Sequence, residues 1–195
     1  MNSDGTGLTD LNMRGFPSWS PDGTHLVFDN SQSGNSDIYV MAADGTDLRQ
    51  ITIDPGTDVF PVWSPDGTRI AFATNRTGDY EIFTMNADGS DPVNLTQNPS
   101  GDGSPAWAPD GRIAFLSNRN TLTSQLFVME PDGSGTIQIT SISSNANKAS
   151  WSPDSRSLVF GCYSTFEICT LNDDGTGLTS VTGGPENDEW PTWSP

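Results

Sequence analysis

FPVWSPDGTRIAFATNRTGDYEIFTMNADGSDPVNLT, residues Phe60–Thr96, is the stretch on which the fold turns. It holds four short runs of β-branched, aromatic and small residues, separated by Pro, Gly, Asn and Asp, and runs bounded in this way are read as strands. The first is Val62–Ser64, turned by Pro65-Asp66-Gly67, where Pro presets φ and Gly accepts a positive φ. The second is Arg69–Thr74. A hairpin over Asn75–Asp79 leads to the third, Glu81–Asn86, and Asp88-Gly89 leads to an outer fourth around Val93–Thr96. The unit is a four-stranded antiparallel meander.

The same unit recurs along the chain. Trp19, Trp63, Trp107, Trp151 and Trp193 are 44, 44, 44 and 42 residues apart, each followed by Ser-Pro or Ala-Pro. The Asp-Gly pairs beginning at Asp44, Asp88, Asp132 and Asp174 follow at 44, 44 and 42. Two markers therefore share one period, and a period of about 40–45 residues with four strands is that of a propeller blade. The runs Ile38-Tyr39-Val40-Met41 and Ile82-Phe83-Thr84-Met85 are apolar on both faces, as a sheet covered on both sides requires. The expected fold is all-β: a β-propeller with blades at about 16–52, 60–96, 104–140 and 148–182, and partial blade strands at 1–12 and 190–195. An outer strand Leu8–Asn12 and an inner strand Thr192–Ser194 would each lack a complete blade. Open strand edges recruit partners, so self-association through them is expected.

The order P-x-W-S-P-D-G, then I-A-F, then a Ser/Thr-Asn-Arg hairpin, then I-Y/F-x-M and D-G, resembles the WD-like repeat of the TolB family across essentially the whole chain. Units three and four drift from it, with Ala108 after Trp107 and Ser155 in place of the turn glycine. The resemblance implies a rigid propeller, and a periplasmic or extracytoplasmic setting. It does not choose among scaffolds, peptidase gating domains and lyases, all of which use this repeat.

Composition narrows the classes. At 33% hydrophobic and 17% charged the chain can bury a core, and its 20 Gly and 14 Pro fall at regular intervals as turn punctuation. The net charge of −17 opposes nucleic acid and anionic membranes and favours basic partners. Nine aspartates (Asp4, Asp22, Asp44, Asp66, Asp88, Asp110, Asp132, Asp154 and Asp174) belong to turn motifs, and setting them aside leaves 16 acidic against 8 basic residues. No run of 18 apolar residues is present, so no membrane insertion is expected. The first residues have neither a basic region nor an apolar stretch of the kind a signal peptide carries.

Catalytic groups are scarce. His25, the single histidine, starts a second strand beside no nucleophile elbow, which argues against a Ser-His-Asp triad and against a multi-histidine metal site. Cys162 and Cys169 lie on paired strands of the fourth blade, Cys169 opposite Phe160 and Cys162 opposite Glu167. That diagonal placement favours free thiols over a disulfide. Asn75-Arg76 and Asn118-Arg119 occupy equivalent hairpins and read as structural.

The connections from each outer strand to the next inner strand are the expected binding elements, because they gather at one face near the central channel. Asp58, Asp102 and Asp188 hold one repeat position there, with Arg14 and Ala146 in the other units. Phe60 and Trp190 follow with Phe16 at the next aromatic position, where Ser104 and Lys148 stand in the remaining units. Such a ring could take a calcium ion or a basic peptide. The same aspartates could instead cap their own turns. The expected function is a non-catalytic binding or scaffold module for a protein or peptide, with two alternatives: the propeller part of a prolyl-oligopeptidase-like enzyme, or a purely structural blade array. No cofactor is expected beyond that calcium.

Overall fold

The structure, a computed structural model, describes residues 15–31, 34–142, 145–162, 167–183, 188 and 191–193. They form four antiparallel four-stranded meanders. Blade 1 is β1 (Ser18–Trp19), β2 (His25–Asn30), β3 (Asp37–Ala42) and β4 (Arg49–Gln50). Blade 2 is β5 (Asp58–Trp63), β6 (Arg69–Thr74), β7 (Glu81–Asn86) and β8 (Val93–Asn94). Blade 3 is β9 (Asp102–Trp107), β10 (Ile113–Ser117), β11 (Gln125–Met129) and β12 (Ile137–Gln138). Blade 4 is β13 (Ala146–Trp151), β14 (Ser157–Cys162), β15 (Glu167–Asn172) and β16 (Thr179–Ser180).

The core lies between blades. Val27, Ile38 and Val40 of blade 1 pack on Ile70, Phe72, Phe83 and Met85 of blade 2. Ala73 and Ile82 on the other face of blade 2 pack on Ile113, Phe115, Phe127 and Met129 of blade 3. Ala114, Leu126 and Val128 then meet Leu158, Phe160 and Leu171 of blade 4. This is why the third strands are apolar on both faces.

Two backbone contacts set blade against blade. Asp58, Asp102 and Ala146, the first residues of their inner strands, donate their amides to Ser36, Tyr80 and Ser124 of the preceding blade at 2.7 Å. In blades 2, 3 and 4 the glycine of the Asp-Gly turn between third and fourth strands receives a carbonyl of the preceding blade's outer segment: a Cβ on Gly89 would lie 2.3 Å from the Ile51 oxygen, one on Gly133 2.5 Å from Leu95, and one on Gly175 2.7 Å from Ile139. These glycines close turns and also let neighbouring backbones touch.

Three expectations are corrected. The inner strand of blade 2 begins at Asp58 and not at Val62. It continues through Pro61 because the ladder shifts register between Val59 and Val62, with Phe60 at φ 56°. An inner strand has a neighbour on one side only, so a proline that cannot donate is tolerated at its bulge. Cys162 and Cys169 are joined in a disulfide, with Cα atoms 5.9 Å apart. The pairing expected from the sequence is present, Cys169 facing Phe160 and Cys162 facing Glu167, but the diagonal lies within bridging range. Residues 191–193 carry no strand, whereas Ser194 and the expected strand Leu8–Asn12 lie outside the described residues.

Candidate binding site

The acidic positions singled out in the sequence sit at one end of the inner strands, and the structure draws two of them inward. Asp58 is 0% exposed and Asp102 1%. The Arg76 Nη2 donates to both Asp58 carboxylate oxygens at 3.0 Å, and its guanidinium lies 5.4 and 5.2 Å from the Phe72 and Phe83 ring centroids. Arg119 repeats the arrangement, 2.6 Å from Asp102 and 5.1 and 4.9 Å from the Phe115 and Phe127 centroids. At these two residues the carboxylates are not open to the axis but paired with the arginines of their own hairpins. Burial raises the Asp102 carboxyl above its ordinary value, opposed by hydrogen bonding from Ser117 and by the Arg119 charge. Asp188 is half-buried outside any strand, and Trp190 lies outside the described residues. Among the described residues no three His, Cys, Asp or Glu side chains gather as a metal site.

Phe60 makes an aromatic contact between blades 1 and 2. Its ring packs on Phe16 at 5.1 Å between centroids, and the Lys148 Nζ lies 5.7 Å over the Phe16 ring. Together with Ser104 and three prolines these residues leave a gap of only about 20 Å³. The inner strands are closed together at this level.

Beyond that constriction the axis opens. A cavity of about 480 Å³ lies among all four described inner strands, lined by Trp19, Trp63, Trp107 and Trp151, the prolines that follow the first three, and Lys148. We call it the axial well. Its mouth is the end where the inner strands run into the Ser-Pro-Asp-Gly turns. Trp19 is 57% exposed, whereas Trp151 is held by its indole N–H, which donates to the Ala106 carbonyl at 3.1 Å. Two grooves of about 410 and 300 Å³ on the same face run between blades 1 and 2 and between blades 2 and 3, lined in part by Asp22, Asp66, Asp88 and Asp110.

The turns around that mouth are rigid and acidic. Asp66 accepts from the Ser64 hydroxyl at 2.7 Å and from the Thr68 amide and hydroxyl at 3.0 and 2.8 Å. Asp22 is bound likewise by Ser20 and Thr24, and these hydrogen bonds lower its pKa to about 2. Asp44, Asp88, Asp132, Asp154 and Asp174 are pulled below their ordinary value by hydrogen bonds from nearby Ser or Thr hydroxyls. The face is therefore fixed in shape and negatively charged at neutral pH. His25 belongs to it through a 2.7 Å contact between its Nδ1 and the Thr24 hydroxyl.

Sequence reasoning missed the well. The tryptophan period was plain, but an inner strand started at Val62 does not show which of its side chains face the axis. Lys148 was visible only as the residue filling an aromatic position.

Comparison with known proteins places this architecture. The TolB beta propeller domain family matches residues 9–92 and 59–195. The Tol-Pal system protein TolB of Anaeromyxobacter dehalogenans (strain 2CP-C) is 44% identical over 41 residues, 21% of this chain and 9% of that protein. The structure of a putative TolB from Agrobacterium tumefaciens superposes with a TM-score of 0.76 at 25% identity, over 84% of this chain and 63% of that one. TolB from Acinetobacter baumannii gives 0.75 at 23% identity, over 84% and 41%. A Mycobacterium tuberculosis puromycin-hydrolyzing peptidase gives 0.71 at 16%, over 90% and 30%, a likeness of fold alone. The chain spans less than two thirds of each of these proteins. Since the family match covers well over half the chain and follows the repeat that folds into the four described blades, the chain belongs to the TolB-type β-propeller domain family.

Proposed function

We propose that this chain is a non-catalytic binding module that receives a segment of a protein partner in its axial well, entering from the Trp-Ser-Pro face. The observation that carries this reading is the well itself: about 480 Å³, walled by tryptophan and proline and constricted beneath by Phe16 and Phe60. Aromatic and proline walls suit an extended segment, which brings little conformational entropy to lose. The acidic turns around the mouth favour a basic segment through long-range attraction. The Asp58 and Asp102 end is the weaker candidate, because a ligand there would have to displace Arg76 and Arg119. The Cys162–Cys169 disulfide supports an oxidising, extracytoplasmic setting.

The test is capture of synthetic octapeptides, randomised in sequence, on the immobilised protein, with bound peptides identified by mass spectrometry. Wild type should retain a subset rich in Lys, Arg and Pro. Trp19→Ala, which alters the most exposed of the four wall tryptophans, should retain at least about fivefold less, as expected for an aromatic contact worth about 1 kcal/mol. Equal retention by the two proteins, or none by wild type, contradicts the reading.

A further inference from the structure

The charge lining the well runs against that of the molecule. The chain carries 25 acidic and 8 basic residues, yet among the described residues that line the well no carboxylate is present and Lys148 is the single ionisable group. Its position is at the inner end. Lys148 borders both the well and the constriction beneath it, and its ammonium stands over the Phe16 ring. In blade 2 the same place in the bulged inner strand holds Phe60, and in blade 3 Ser104, so blade 4 alone among the described blades puts a cation there.

Resting on the assignment of the well as the binding site, we propose that Lys148 receives a peptide carboxylate at the floor of the well, and that the segment bound there enters by its carboxyl terminus. The argument has three parts. A half-buried ammonium beside aromatic and proline side chains is screened less than one on the open surface, so a charge-assisted hydrogen bond to it is stronger there. Burial pushes the Lys148 pKa down, and a carboxylate beside it would restore the charged form. The surrounding field repels free anions, which favours a carboxylate carried in by a segment whose other charges are basic. Such a segment would meet Asp22, Asp66 and Asp110, each next to a proline of the well wall. A chain end also suits a well whose floor is narrowed by the Phe16–Phe60 pair, because nothing has to pass out beneath. Lys148 need not be idle in the unbound protein: whatever it touches on this chain is exchanged for the ligand's carboxylate.

The experiment compares two octapeptide libraries of the same random composition, one ending in free carboxylate and one in carboxamide, captured on wild type, Lys148→Met, Lys148→Arg and Trp19→Ala. The expected result is a preference of wild type for free carboxylates on the order of tenfold or more, the size of one charge-assisted hydrogen bond. Lys148→Met should lose that preference, and a cooperative denaturant transition like that of wild type shows that the variant is folded. Lys148→Arg should keep it. Equal capture of both libraries by wild type, still dependent on Trp19, would overturn this inference and leave the well assignment standing. Capture indifferent to Trp19 would overturn the well assignment. Enrichment of Asp or Glu among the captured carboxamides would assign the carboxylate to a side chain and overturn entry by the terminus.

Discussion

At the scale of single residues the molecule separates two kinds of aspartate. Turn aspartates such as Asp22 and Asp66 accept local hydrogen bonds and have lowered pKa values, whereas burial raises Asp29, Glu81 and Asp102. A lowered carboxyl contributes stability that is complete above its unfolded value and lost as pH falls through the folded one; a raised carboxyl favours the folded state as it takes up its proton. Thermal unfolding against pH should therefore show a small gain as the three raised groups protonate, above the ordinary Asp and Glu values of 3.8 and 4.5. A steeper loss should follow between 3.8 and about 2 as Asp22 and its counterparts protonate. Monotonic loss from pH 7 downward would contradict the assignment of the raised groups. The Asp58–Arg76 pair gives a second expectation. With Asp58 fully buried, Arg76→Met strands a charge and should cost about 3–5 kcal/mol in denaturant titration. A cost under about 1 kcal/mol would show that the pair is not a clasp. The sequence displayed Arg76 as a motif but hid its partner, because Pro61 marked a strand boundary where the structure has a bulge.

At the scale of the element, the blade was legible nearly to the residue in its second and third strands: Arg69–Thr74 and Glu81–Asn86 occur as the pattern predicts. The outer strands are shorter than expected, two residues in blade 2 against the run to Thr96. What the pattern could not show is how one element substitutes for another. Blade 4 has Ala146 where blades 2 and 3 have Asp58 and Asp102. Its Cys162 stands at the place of Thr74 and Ser117, and its Cys169, facing Phe160, at that of Phe83, facing Phe72. The disulfide ties the second and third strands of blade 4, where the other two blades fasten the same hairpin with Asp, Arg and aromatic rings. The turn glycines show a similar gap between pattern and cause. Gly67 and Gly89 look alike in sequence and both have positive φ, 70° and 89°. A Cβ on Gly67 would meet nothing nearer than 3.6 Å, whereas one on Gly89 would strike the Ile51 carbonyl. Gly67→Ala should thus cost about 1–2 kcal/mol for the backbone alone. Gly89→Ala should cost clearly more and loosen blade 1 against blade 2. Equal costs in denaturant titration would show that the turns do not carry the inter-blade contact.

For the whole molecule, repetition determines the architecture and departures from repetition determine the site. The period of the tryptophans foretold the blades, and residues such as Lys148, which break the period, give the axis its chemistry. The most visible acidic loop residues of the sequence, Asp58 and Asp102, prove to be internal, while the well is built from residues that read as blade scaffold. The central claim is that a protein segment binds in the well from the Trp-Ser-Pro face. Hydrogen exchange with a captured octapeptide at saturation tests it most directly. The account predicts added protection at the amides of 19–24, 63–68, 107–112 and 151–156, and none at the hairpins 75–79 and 118–124 on the opposite face. Protection confined to those hairpins and to the segments carrying Asp58 and Asp102 would contradict it.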